Sequence, residues 1–180
     1  EMPCLYLARK VIMEKQMADK RRKYPVAFIL LAVLTLSVAA QTQKQITPKE
    51  KIVLFNGRDL TGLYTWLPDS QYQDPRQIFT VTDSGMLRVS GDGVGYICTR
   101  DSYRDYHLIL EYIWGQKTWG NRTEAARDSG LILHCADPDG SHGAFMAGIE
   151  AQMIEGGTGD ILVLPCRRED GSPIPASVTA

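Results

Sequence analysis

Residues Tyr106 to Trp114 read YHLILEYIW, and the alternation in that stretch decides the fold. Successive side chains of an extended strand point to opposite faces. Leu108, Leu110, Tyr112 and Trp114 therefore form one apolar row, and His107, Ile109, Glu111 and Ile113 form the other. The same period recurs downstream. In SGLILHC (Ser129 to Cys135), Ile132 and His134 lie opposite Leu131, Leu133 and Cys135. In GIEAQMIE (Gly148 to Glu155), Glu150 and Gln152 lie opposite Ile149, Ala151 and Met153, and Gly156-Gly-Thr-Gly159 ends the run.

Working toward the N-terminus, short apolar runs keep alternating with turn residues. Ile52-Val-Leu-Phe55 stops at Asn56-Gly57, a strong turn signal. Leu60 to Trp66 holds a second short element. Phe79 to Thr82 and Met86 to Val89 flank Asp83-Ser-Gly85 as a hairpin. Tyr96 to Cys98 follows three alternating glycines. Asp160 to Leu164 restarts an extended run after the glycine tail. No stretch after Ala40 sustains 3.6-residue apolar spacing over a helix's length. These patterns predict an all-β, antiparallel two-sheet sandwich or jelly roll spanning residues 52–180. About eight strands are too few for a complete jelly roll, and Glu169 to Ala176 reads as the opening of a loop. The sandwich is expected to be C-terminally truncated.

The first 51 residues read differently. Lys20 to Lys23 is a basic cluster, and Val26 to Ala40 is an uncharged apolar run ending in small residues. That is the layout of a cleavable export signal at 17–40, with cleavage after Ala40. The run is shorter than the ~20 residues a spanning helix needs. No stable membrane insertion is expected after cleavage, and the mature protein is placed in the periplasm or outside the cell. Residues 1–16 are read as a misassigned upstream segment, and 41–51 as a flexible lead-in.

Composition narrows the function. With 20 basic and 21 acidic residues, net charge −1, the chain lacks the basic excess that nucleic-acid binding requires. Cys98, Cys135 and Cys166 are widely spaced with no C-x-x-C, which argues against zinc-ribbon and redox motifs. One disulfide is allowed in an oxidising compartment, and spacing does not choose the pair. There is no G-x-S-x-G and no H-E-x-x-H, and Gly91, Gly93 and Gly95 do not open a helix. Oligomeric state has no signature in the sequence.

Candidate site residues follow from the shared faces. If the three long strands lie in one sheet, Glu111, His134, Glu150 and Gln152 gather over a single open surface. An antiparallel sheet ordinarily has one solvated face, so each of these residues alone carries little weight. Their type matters more, since Glu, His and Gln form strands poorly compared with Val or Thr.

Four stretches carry a family likeness. Leu54-Phe-Asn-Gly-Arg-Asp-Leu-Thr-Gly62, Tyr103 to Tyr112, Asp128 to His134, and Gly148 to Glu155 with its glycine tail together resemble the 3-keto-disaccharide hydrolase family. The likeness runs in order over about residues 52 to 165. It implies a concanavalin-like jelly roll acting on an oligosaccharide or glycoside oxidised at C3. A C3 ketone acidifies the C2 proton, so a general base can take it and the C1 oxygen substituent can leave. Water then adds, or hydrolysis is direct. In that reading His134 or Glu150 is the base, and Glu111 or Glu155 is the acid or orients the base. Gln152 and Arg127 orient hydroxyls or the ketone, and Trp119 stacks on sugar. No cofactor is required, although a divalent metal on His134 and Glu150 would serve equally as electrophile. The alternatives are a non-catalytic glycan-binding module and a conventional glycoside hydrolase with paired carboxylates.

Overall fold

The computed structural model describes residues 5–15, 44–136, 138–166, 170 and 172–173. It is all-β and antiparallel, with one 3-10 turn at Gly120–Arg122 and no α-helix among the described residues. The strands are β1 (Leu5–Lys15), β2 (Ile52–Val53), β3 (Leu63–Trp66), β4 (Phe79–Val81) and β5 (Leu87–Val89). They continue as β6 (Tyr96–Thr99), β7 (Tyr106–Trp114), β8 (Gly130–Ala136), β9 (Ala147–Gln152) and β10 (Ile161–Leu164). They form three sheets. β2, β1, β5, β4 and β7 make one, β10-β9-β8 a second and β3-β6 a third. Three sheets stand where the sequence predicts the two of a jelly roll.

The apolar row of β7 packs as expected. Leu110, Tyr112 and Trp114 press on a core of Phe55, Leu63, Leu87 and Met153, with Val81, Val89 and Ile97 around it. Glu111 is exposed on the opposite face. A second cluster of Leu67, Ile78 and Phe79 adjoins the first through Leu60, Val89 and Ile97. The Asp74 carboxylate holds the entry to β4, accepting from the backbone N–H groups of Ile78 and Phe79 at 2.9 and 2.8 Å.

The predicted turns are in place, and each is made by its side chains. Asn56 Oδ1 accepts from the N–H of Arg58 at 2.7 Å and of Asp59 at 3.0 Å, while Asp59 Oδ1 accepts from Thr61 N at 2.9 Å. At the β4–β5 hairpin, Gly85 sits at φ +75°, and a Cβ there would lie 2.9 Å from the Gly57 carbonyl oxygen. Both conformation and space demand glycine. Gly85→Ala is therefore expected to cost about 1–2 kcal/mol, read as a lower denaturant midpoint with unchanged slope.

Parts of the N-terminal region take places in the fold. Reading residues 1–16 as upstream sequence leaves no place for β1, yet Leu5–Lys15 is an internal strand. It pairs along β7 from Leu5↔Trp114 to Lys15↔Tyr106, with a bulge between Leu7 and Val11, and on its other side with β5 and then β2. Met13 is 3% exposed. The physical reason is that β7 has unpaired backbone groups along its edge, which a neighbouring extended segment satisfies. The lead-in, read as flexible, is anchored. Ile46 bridges Tyr103, its N–H reaching Ser102 O at 2.8 Å, and Pro48 is fully buried. The export signal at 17–40 lies outside the described residues, among which no helix is long and apolar enough to cross a membrane.

Candidate functional site

The second sheet carries the polar face expected of it, with one departure. Register pairs Ile132 with Glu150 and Gly130 with Gln152 across β8 and β9, and Leu162 of β10 with Glu150 on the other side. Glu150 and Gln152 thus share a face with Gly130 between the strands. The Glu150 side chain lies over Gly130, where a Cβ would collide with the carboxylate. Only a glycine on β8 leaves room for it.

That face does not extend to His134. The ladder shifts register between Leu133 and Ala136, and His134 takes φ +54°, a left-handed conformation uncommon outside glycine. The bulge turns its imidazole out, exposed and stacked on Tyr106 with ring centroids 6.2 Å apart. No hydrogen bond or ion pair joins His134 to Glu150. Glu111 lies on the outer row of β7, also apart from Glu150. Among the described residues no three His, Cys, Asp or Glu converge on a point where they could hold a metal ion.

Glu150 is half-buried. Burial raises its pKa above the ordinary glutamate value, and the nearby Asp128 carboxylate adds to the rise. Asp128 is paired with Arg122 Nη2 at 3.2 Å, and Arg122 also donates to Ala126 O at 2.7 Å. Asp128, Arg122, Arg127, Trp119, Thr118 and Gly91 line a cleft of about 70 Å³. That volume suits a few waters or one protruding group, and not a sugar ring. Two donors at the cleft, Trp119 Nε1 and Arg122 Nε, are buried without a protein partner. The Lys117 ammonium lies 3.9 Å above the Trp119 ring.

Arg127 and Glu155 hold the connection in place. Arg127 Nε donates to Glu155 Oε2 at 3.0 Å, its Nη2 bonds the other carboxylate oxygen, and its Nη1 reaches Gly115 O at 2.5 Å. The backbones pair too, Glu155 N to Arg127 O at 2.8 Å. These bonds lower the Glu155 pKa to about 2, the Arg127 side chain first among the causes. Glu155 is therefore ionised at neutral pH and unsuited to be the acid. A depressed pKa stabilises the fold above the ordinary carboxylate range, and that contribution is lost as pH falls through about 2. Glu155→Gln is expected to flatten the acid limb of the stability–pH profile. Gln152 is half-engaged, its Oε1 accepting from Met153 N at 3.1 Å.

Three groups absent from the sequence-derived set emerge here. Asp128 and Arg122 lie in a polar connection with no period to mark them. The third, Asp139, follows β8 and accepts from Tyr64 OH at 2.9 Å, from Tyr72 OH at 2.8 Å and from Tyr96 OH. Burial opposes its charge, but the three phenols together hold its pKa below the usual value. Alternation in Leu63–Trp66 and Tyr96–Thr99 places Tyr64 and Tyr96 on one face, which is the only sequence signal for this cluster. A larger cavity of about 310 Å³ opens beside it, lined by Leu60, Leu63, Tyr64, Thr65, Tyr72 and Arg100. Glu150 is not among its walls.

The family model described as the 3-keto-alpha-glucoside-1,2-lyase-like domain matches residues 50–174. Comparison with curated proteins and with solved structures found no match.

Proposed function

The chain belongs to the 3-keto-alpha-glucoside-1,2-lyase-like domain family, and from that membership we propose that it cleaves 3-keto-glycosides or 3-keto-disaccharides with Glu150 as general base. The family supports a carbohydrate-related activity on a sugar substrate. The reading is supported by one arrangement: the half-buried Glu150 carboxylate, its pKa raised by burial and by the charge of Asp128, lies over Gly130, two residues along the chain from Asp128, which Arg122 pairs at the wall of a cleft with two unpaired N–H donors.

The chemistry follows from those groups. Glu150 takes the C2 proton, the C2–H electron pair forms the C2–C3 enolate, and negative charge moves to the ketone oxygen. Arg122 and Trp119 N–H supply donors for that oxygen. The enolate then expels the C1 substituent, breaking the C1–O bond. A raised pKa lets neutral Glu150 return its proton to the departing oxygen, so one carboxyl serves as base and then as acid. Water added to the resulting enone gives the hydrolysis product. Arg127 and Glu155 position the connection that carries these donors, and Gln152 offers its amide NH₂ to sugar hydroxyls.

The test uses the full chain with a chromogenic 3-keto-glucoside, and the unoxidised glucoside as control. Aglycone release from the keto sugar alone is expected. Equal release from both points to the paired-carboxylate hydrolase, and binding of either without release points to the glycan-binding module; both outcomes end the proposal. His134→Ala is expected to retain turnover within about tenfold, because the imidazole lies outside the cleft; a loss of about 10²-fold or more would return the base to His134.

Export is a separate proposal. It requires the mature protein to begin at Gln41, which N-terminal mass mapping of the expressed protein reads directly. Recovery of Leu5–Lys15 in the mature chain would end it. The jelly-roll form is likewise proposed.

A further inference from the structure

Two cysteines that the sequence leaves unassigned meet in space. Cys98 lies on β6, directly across from Tyr64 of β3. Cys135 lies at the bulged end of β8, in a different sheet. The Asp139 loop joins the two, because Tyr64 and Tyr96, which share the face of Cys98, both donate to a carboxylate four residues beyond Cys135. The two side chains lie within hydrogen-bonding range of each other, and Tyr64 interacts with Cys98 from the facing strand. Cys135 Sγ makes its other contact with Ile132 O at 3.5 Å. Cys98 is half-buried and Cys135 is exposed, so the pair can be reached from solvent.

We propose that Cys98 and Cys135 are a disulfide-forming thiol pair whose bond staples the end of β8 to β6 beside the Asp139 cluster. The bulge at His134 is what makes the pairing possible. It breaks the regular alternation of β8 and delivers Cys135 to the β3–β6 ribbon. The shared hydrogen bond favours the Cys98 thiolate, while burial opposes it; the same bond, with burial, keeps the proton on Cys135. This asymmetry suits stepwise exchange, in which one sulfur attacks and the other resolves.

With a small-molecule disulfide such as oxidised glutathione as oxidant, the steps balance. The Cys98 thiolate attacks the disulfide, forms a mixed disulfide and releases one glutathione thiolate. That thiolate takes the Cys135 proton. The Cys135 sulfur then attacks the mixed disulfide at Cys98, forming Cys98–Cys135 and releasing the second glutathione thiolate, which is protonated by solvent. Two protein thiols are oxidised and one glutathione disulfide is reduced to two thiols.

The test removes the other two cysteines. The C4S/C166S chain is reduced, then exposed to oxidised glutathione, and followed by intact mass, maleimide labelling and peptide mapping. The expected product has lost two hydrogens, labels at neither cysteine until reduced, and yields a linked Cys98–Cys135 peptide. Closing this loop of about 38 residues is expected to raise Tm by roughly 10 °C over the reduced chain. Adding C98S to that background should leave Cys135 labelled or carrying a single glutathionyl group. A C4S/C166S chain that keeps two labelled thiols, or stops with a glutathionyl group on each, overturns the proposal. A linked peptide seen only after denaturation overturns it as well. None of these readouts depends on sugar cleavage.

Discussion

Glu150→Gln is expected to abolish turnover of a 3-keto-glycoside, by about 10²–10⁴-fold in kcat, without destabilising the protein at neutral pH. The amide keeps the shape that fits over Gly130 but cannot accept the C2 proton. Its effect on stability follows from the pKa. Burial and Asp128 raise the folded-state value, so the native state holds this proton more tightly than the unfolded chain does. The associated stabilisation is present below the ordinary glutamate range and is lost as pH rises through the raised value. A neutral glutamine escapes that loss. Above that range the variant should match or exceed the parent in denaturant midpoint, and in acid the two should converge. In the parent, kcat/KM should rise with pH through a value above that of an ordinary glutamate, because the base must be ionised. A variant that retained turnover, or a parent profile flat across this range, would remove Glu150 from the chemistry. A variant that lost both turnover and stability would show instead that Glu150 is structural.

Deleting residues 1–40 is expected to have the larger structural effect: loss of cooperative unfolding. β1 pairs with β7 along most of its length and with β5 and β2 on its other side. Its Met13 is buried, and truncating that side chain alone, Met13→Ala, should cost about 2–5 kcal/mol. Removing the strand strips its partners from β7 and opens the core behind it. The sum is comparable with the ~5–15 kcal/mol stability of a typical domain. Urea unfolding and amide exchange at Leu108 and Leu110 read the result. A synthetic Leu5–Lys15 peptide added in trans should restore protection at those amides. An undiminished transition in the shortened chain would mean that β1 is dispensable. The experiment also bears on export, because cleavage after Ala40 discards Leu5–Lys15 with the leader. One mature molecule cannot both lose that strand and be built around it.

Sequence alone was enough for the local elements. The period-2 rows of β7, β8 and β9, the Asn56-Gly57 turn and the Asp83–Gly85 hairpin were legible because each depends on neighbours a few residues apart. Glu150 and Gln152 could be put on one face by alternation, whereas Arg127, Glu155 and Trp119 entered through the family resemblance. Tertiary structure decided the rest, wherever the cause lay far along the chain. His134 left the shared face because a bulge shifted the β8–β9 ladder, and a one-residue slip reverses a side chain's direction. Asp128 and Arg122 acquired their roles from a connection folding back toward β9, which no periodicity records. Asp139 met three tyrosines, and Cys98 met Cys135, only once the end of β8 lay across the β3–β6 ribbon. β1 found its place because a strand edge accepts any extended segment of suitable register. That choice is made by the assembled sheet, and not by the eleven residues themselves.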